Sequence, residues 1–168
     1  MTAQILTQAR LQELLHYDPE TGVFTSRTKR GRFRAGVTVG TLATNKRIQI
    51  HLDHKKHFAH RLAWLYTHGQ WPEHEIDHIN GVPTDNRIVN LREATTKQNG
   101  ENRDKQRNNT SGYKGVTWSN KSKKWQTQIC HAKQRIHIGV FEKVEDAYKA
   151  YLAKANALFT HTDRIKQE

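Results

Sequence analysis

Cysteine is almost absent from this chain of 168 residues: Cys130 stands alone, and there are only three prolines. A single cysteine excludes an intramolecular disulfide and removes the paired Cys motifs that build structural zinc sites. The role expected of it is a small buried hydrophobe. No apolar run approaches membrane-spanning length, and residues 1–6 lack a basic stretch followed by a long apolar one. A soluble intracellular protein with no membrane association is therefore expected. Acid is scarce as well: 16 Asp and Glu face 28 Lys and Arg, giving a formal charge of +12 and a pI of about 10.0. Such an imbalance says nothing about fold but favours a polyanionic partner, since each neutralised phosphate releases condensed counterions. A ribosomal or merely basic soluble protein shares this composition, so charge does not choose between them.

The charge is unevenly spread. Residues 1–104 carry 15 basic and 11 acidic side chains, whereas residues 105–168 carry 13 and 5. The length admits one medium domain or two small ones. Asp104-Lys105-Gln106-Arg107-Asn108-Asn109-Thr110-Ser111-Gly112 has no apolar residue and reads as a linker. The expected organisation is a domain over residues 1–104, a linker over 105–112 and a second domain over 113–168.

In the first part, Leu11, Leu14 and Leu15 fall on one face of a helix predicted over residues 7–15, and Asp18-Pro19-Glu20-Thr21-Gly22 reads as a turn before a strand at Val23-Phe24-Thr25. Arg27, Lys29, Arg30, Arg32 and Arg34 then crowd into one segment with Gly31 and Phe33. It is either a solvated loop or an arm that tracks a DNA backbone. Residues 47–52 alternate at period two, and Asp53-His54-Lys55-Lys56 turns them into a second strand. His51, His54, His57 and His60 recur every third residue, but strand geometry and the turn scatter them, so no shared metal site is expected. Arg61-Leu62-Ala63-Trp64-Leu65-Tyr66-Thr67-His68 reads as a buried helix stopped by Gly69, with His60 a structural histidine at its entrance.

The most informative residues follow: Asp77-His78-Ile79-Asn80-Gly81, then Asp85-Asn86-Arg87, Asn90-Leu91-Arg92 and Asn99. An anionic oxygen, carboxamide oxygens for a hard cation and a histidine beside them are what a one-metal phosphodiester site needs. The pattern predicts a strand through Asp77 and His78, a turn at Asn80-Gly81, a polar loop, a strand from Asn90 to Ala94 and a helix over residues 97–103. Taken singly, Asp77 reads as a turn residue, Asn90 as a local cap and Asn99 as an exposed helical side chain. Their joint occurrence in this order sets them apart. Asn80 and Asn86 look like turn chemistry and stay outside the metal set.

This run resembles the HNH endonuclease family, a ββα-metal fold, and within it the phage-type homing endonucleases. The likeness extends back through His60-Arg61-Leu62-Ala63-Trp64 and the turn at residues 18–22. The resemblance implies that His78 is the general base for a water, that Asp77 and Asn99 are metal ligands, and that Asn90 holds the loop and orients the histidine. Oxygen donors favour Mg²⁺ or Mn²⁺ over Zn²⁺.

In the tail, three short strands are predicted at residues 113–118, 125–129 and 135–139, followed by a helix whose stripe is Val144, Ala147, Tyr148, Tyr151, Ala155 and Leu158. Tyr113-Lys114-Gly115-Val116, Lys124-Trp125, Ile138-Gly139-Val140-Phe141 and residues 145–151 resemble the plant ethylene-response (Apetala-type) DNA-binding domain. That likeness implies a sheet entering the DNA major groove, with Lys114, Trp118, Lys123, Trp125 and Arg135 as contacts. Thr117 and Gln128 replace arginines of that family's strands, and Trp125 is open to a core role.

The expectation is thus an α+β protein, a ββα-metal nuclease domain followed by a three-stranded antiparallel sheet packed on one helix. It implies a metal-dependent DNA endonuclease of homing or mobile-element type, acting on double-stranded DNA. The alternatives are a DNA-binding regulator with an inactive nuclease site and, from charge alone, an RNA-binding accessory protein. Nothing calls for an obligate protein partner, and a monomer is favoured over a dimer. If the chain is phage-encoded, its compartment is the cytoplasm of a bacterial host.

Overall fold

The computed structural model describes residues 6–29, 34–106, 108–132 and 134–162. They divide into two compact units, Met1–Thr96 and Lys97–Glu168. Both mix helices with antiparallel strands, the α+β architecture expected.

The first unit opens on helix α1 (Gln8–Leu14), whose first turn is capped by Thr7: its hydroxyl accepts from the Arg10 N–H at 3.3 Å. The leucine spacing predicts helix through Leu15, but Leu15 has extended dihedrals and begins strand β1 (Leu15–Asp18). It pairs with β2 (Val23–Ser26), Leu15 opposite Ser26 and Asp18 opposite Val23. In that frame Leu15 and Tyr17 alternate into the core, so cross-strand pairing overrides a helical period of three leucines. The turn between the strands is as expected, with Asp18 accepting from the Glu20 N–H at 2.9 Å and from the Thr21 hydroxyl at 2.8 Å.

A second sheet has the order β3 (Thr41–Leu42), β4 (Ile48–Leu52), β5 (Lys55–Phe58), and Asp53 and His54 form the left-handed turn between the last two. Helix α2 (Ala59–His68) ends at Gly69, whose φ of 80° and N–H bond to the Leu65 carbonyl make a left-handed cap. Leu11, Leu15, Phe24, Leu52, Leu62 and Leu65 form the centre of one core. Strands β6 (Glu75–His78) and β7 (Leu91–Ala94) pair antiparallel and send Ile76 and Leu91 into that core. Asn90, expected in the strand, lies instead in a 3₁₀ turn (Ile88–Asn90) that ends the loop between them.

Helix α3 (Thr96–Glu101) starts at the last residue of the first unit. The second unit continues with β8 (Val116–Ser119), β9 (Lys124–His131), β10 (Gln134–Phe141) and α4 (Val144–Leu158). The sheet order is β10-β9-β8, antiparallel throughout, and α4 lays Ala147, Tyr148, Tyr151 and Ala155 against Val116 and Ile129. Strand alternation then directs Cys130 away from the helix, so the cysteine expected to be buried is exposed. The first strand starts at Val116 rather than Tyr113 because Gly115, at φ +75°, turns the chain against the Tyr151 ring. A Cβ there would lie 2.3 Å from that ring. Gly115→Ala should therefore cost about 1–3 kcal/mol of stability in urea unfolding; a change below about 0.5 kcal/mol would mean that this approach is not tight in solution.

Candidate functional site

Cross-strand register places the candidate site at the end of β6. Asp77 faces Arg92 and His78 faces Leu91. Both Asp77 and His78 are buried, at 7% and 5% exposure. A buried carboxylate needs a charged partner, and Arg92 supplies it, donating to Asp77 Oδ2 from Nη2 at 2.9 Å and from Nε at 3.2 Å. Burial holds the His78 imidazole below its ordinary pKa, helped by the Arg47 charge and opposed by the Asn86 hydrogen bond and the carboxylates of Asp77 and Asp85. His78 is therefore predominantly neutral at pH 7, as a proton acceptor must be.

Residues 79–90 form a loop closed by its own side chains. The Asn90 carboxamide accepts from the Asn80 N–H at 2.9 Å and donates to the Asp85 carbonyl at 2.8 Å, while the Ile79 N–H donates to the Asn90 carbonyl at 2.9 Å. Asn80 Nδ2 donates to Asp85 Oδ2 at 2.7 Å, and the Arg87 guanidinium grips the same carboxylate at 2.6 and 2.8 Å. That grip, with the backbone and Asn80 bonds, lowers the Asp85 pKa to about 2. Asn90 thus bonds to both Asn80 and Asp85 across the loop. The carboxamide whose oxygen meets the His78 ring is Asn86, 1% exposed, with Oδ1 3.2 Å from His78 Nε2. In the sequence Asn86 looks like turn chemistry, and no local signal marks this contact.

The N-terminal hairpin backs this loop. The Tyr17 hydroxyl donates to the Asn86 carbonyl at 2.7 Å, and the Ile88 N–H donates to the Pro19 carbonyl at 3.3 Å. Gly22, at φ +72°, lies so close that a Cβ would stand 2.5 Å from backbone atoms of Asn86 and Arg87.

Of the four periodic histidines, His51 and His54 are exposed and His57 stacks on Trp71, so they do not converge. Among the described residues no group of three or more His, Cys, Asp and Glu could hold a metal. His60 is different: it is 2% exposed in the first turn of α2, stacked on Phe58, with its ring 5.2 Å from that of His78. Its Nδ1 is buried without a hydrogen-bond partner, and burial, with the neighbouring His78 charge, pushes its pKa down to about 3. Unfolding restores an ordinary imidazole near pH 6.5, so the unfolded chain binds the extra proton first. The stability due to neutral His60 is complete above about pH 6.5 and is lost as pH falls toward 3. Melting temperature should fall over this window, and the slope should flatten in His60→Leu; an equally steep slope in the variant would assign the acid loss to other groups.

The remaining candidates stand on other elements. Asn99 stands on α3, in the second unit. Arg27, Lys29 and Arg34 are exposed, and Arg30 and Arg32 lie outside the described residues. In the second unit Lys123 is exposed in the β8–β9 turn, and Arg135 is exposed opposite Cys130 on the sheet face away from α4. Trp118 is 44% exposed and packs edge-on against Trp125 at 5.0 Å, while Trp125 itself packs on the core beneath α4. The Lys114 ammonium donates to the carbonyls of Glu101, at 2.8 Å, and Arg103. The sheet face away from α4 presents Thr117, Lys124, Gln126, Gln128, Arg135 and His137, a polar and cationic surface.

Comparison with known proteins bears on the same stretch. Residues 57–101 match the HNH endonuclease family. "Protein 3.8" of Escherichia phage T7 is 38% identical over 71 residues, which cover 42% of this chain and 59% of that protein. The chain thus matches less than two thirds of that relative's length. No solved structure matches. The segment that carries Asp77, His78, Asn86, Asn90 and Asn99 is an HNH endonuclease domain.

Proposed function

We propose that this protein hydrolyses DNA phosphodiester bonds with His78 as general base and one divalent cation held by Asp77 and Asn99. The observation that carries the reading is the adjacency on β6 of a buried, neutral imidazole and a buried carboxylate. The donor chemistry fits a hard cation: one carboxylate oxygen and one carboxamide oxygen leave positions for water and substrate phosphate, the usual environment of Mg²⁺ or Mn²⁺. When bound, such a cation stabilises the charge that develops on the phosphate and the leaving oxygen. Arg92 fixes the Asp77 carboxylate through Oδ2, Asn90 holds the loop that carries the site, and His78 accepts the proton of the attacking water. The likeness to phage-type homing enzymes favours a role in mobile-element transfer and the release of 5′-phosphate and 3′-hydroxyl ends.

The second unit then serves as the electrostatic grip on duplex DNA. Its support is the cationic sheet face and the charge of residues 105–168, where 13 basic side chains face 5 acidic ones. Arg27, Lys29, Arg30, Arg32 and Arg34 add a second basic segment to the same task.

In a plasmid-nicking assay with Mg²⁺, wild type should cut and His78→Ala should be slower by at least about 10²-fold. Wild type inactive with both Mg²⁺ and Mn²⁺ would overturn the enzyme reading, and tight binding without cutting would make the chain a DNA-binding regulator. Lys123→Ala and Arg135→Ala should each lower the slope of log affinity against log salt by about 1 and leave the cutting rate of bound DNA unchanged. A salt slope equal to that of wild type would remove these two side chains from the DNA interface.

A further inference from the structure

We infer that Asn86, anchored by the N-terminal hairpin, fixes His78 as the Nε2–H tautomer and so makes Nδ1 the nitrogen that takes the proton. A carbonyl oxygen can only accept a hydrogen bond. Asn86 Nδ2 lies 3.3 Å from the Thr84 carbonyl, so that end of the carboxamide is the NH₂ and the other end is the oxygen. The oxygen faces His78 Nε2 at 3.2 Å, and two acceptors cannot share that contact. Nε2 therefore carries the hydrogen. In a neutral imidazole only one nitrogen is protonated, which leaves the basic lone pair on Nδ1.

The arrangement is rigid because Asn86 is fixed from behind. Its side chain is 1% exposed, its backbone carbonyl accepts from Tyr17 at 2.7 Å, and Gly22 leaves no room for its backbone to retreat. Strand β1 and the residue 18–22 turn, far from the site in sequence, thus set the protonation geometry of His78. Asn86 is a positioning residue that acts through the ring, and the kinetic part of this inference rests on the nuclease reading.

The test is the ¹⁵N NMR spectrum of the full chain labelled at histidine, recorded at pH 8, with the His78 signals assigned by their loss in His78→Gln. In wild type Nε2 should appear as the protonated nitrogen and Nδ1 as the unprotonated one. Asn86→Leu keeps volume but removes the acceptor, and should populate the Nδ1–H form. Asn86→Asp keeps an acceptor oxygen and should restore the Nε2–H form, which a role in packing alone does not predict. With Mg²⁺ and plasmid DNA, Asn86→Leu should lower kcat by about 10²-fold with KM unchanged. Should Asn86→Leu fail to fold, wild type and Tyr17→Phe still decide: Tyr17→Phe loosens the anchor and should show partial loss of the Nε2–H form. The inference is overturned by an Nδ1–H tautomer in wild type, or by an unchanged tautomer in a folded Asn86→Leu protein. A wild type that holds the Nε2–H form and cuts no DNA overturns the nuclease reading and leaves this assignment standing.

Discussion

Closure of the loop over residues 79–90 is the constraint on which the site depends. Strands β6 and β7 are short, and a loop of this length between them carries many backbone polar groups that must find partners. Asn90 meets that need from both ends of one carboxamide, accepting from Asn80 and donating to the Asp85 carbonyl. Asp85 continues the chain of bonds to Asn80 and Arg87. With the loop shut, the register of the two strands is fixed, and that register sets Asp77 opposite Arg92. The buried carboxylate, its guanidinium and the neighbouring imidazole are consequences of one polar network.

That network is tied to the rest of the first unit at few points, each short and directional. Tyr17, Pro19 and Gly22 of the hairpin meet the loop at Asn86, Arg87 and Ile88. Helix α2 brings His60 edge-on to His78. His60 is a neutral, rigid wall, since a charged ring could not be accommodated there without solvent. His78 thus lies between a neutral ring, His60, and the Asn86 carboxamide, whose Oδ1 is 3.2 Å from its Nε2.

The proposed division of labour between the two units follows the charge distribution. The first unit is modestly basic and carries buried, mutually bonded polar groups; the second is strongly basic and presents them on an open sheet face. Chemistry needs fixed geometry and few charges, whereas a grip on polyanions needs many charges and tolerates mobility in each. Of the candidate DNA contacts, Lys114 is engaged by backbone carbonyls and Trp125 is packed beneath α4.

Local chemistry made much of this protein legible in its sequence. Period-two alternation places Asp77 and His78 at the end of a strand, Gly69 stops α2, and the stripe from Val144 to Leu158 coincides with α4, because each depends on neighbours within a few residues. The spacing of Asp77, His78, Asn90 and Asn99 likewise announces the HNH segment. Strand β1, the exposure of Cys130, the isolation of His60 and the contact of Asn86 with His78 were decided by tertiary structure alone. Leu15 could continue a helix until Ser26 pairs with it, and Cys130 looks like core until strand alternation turns it outward. Asn86 is a turn residue in sequence; it meets His78 because Tyr17, 69 positions away, holds its backbone in place. Composition and spacing select the chemical groups, and long-range packing decides which atoms of those groups face one another.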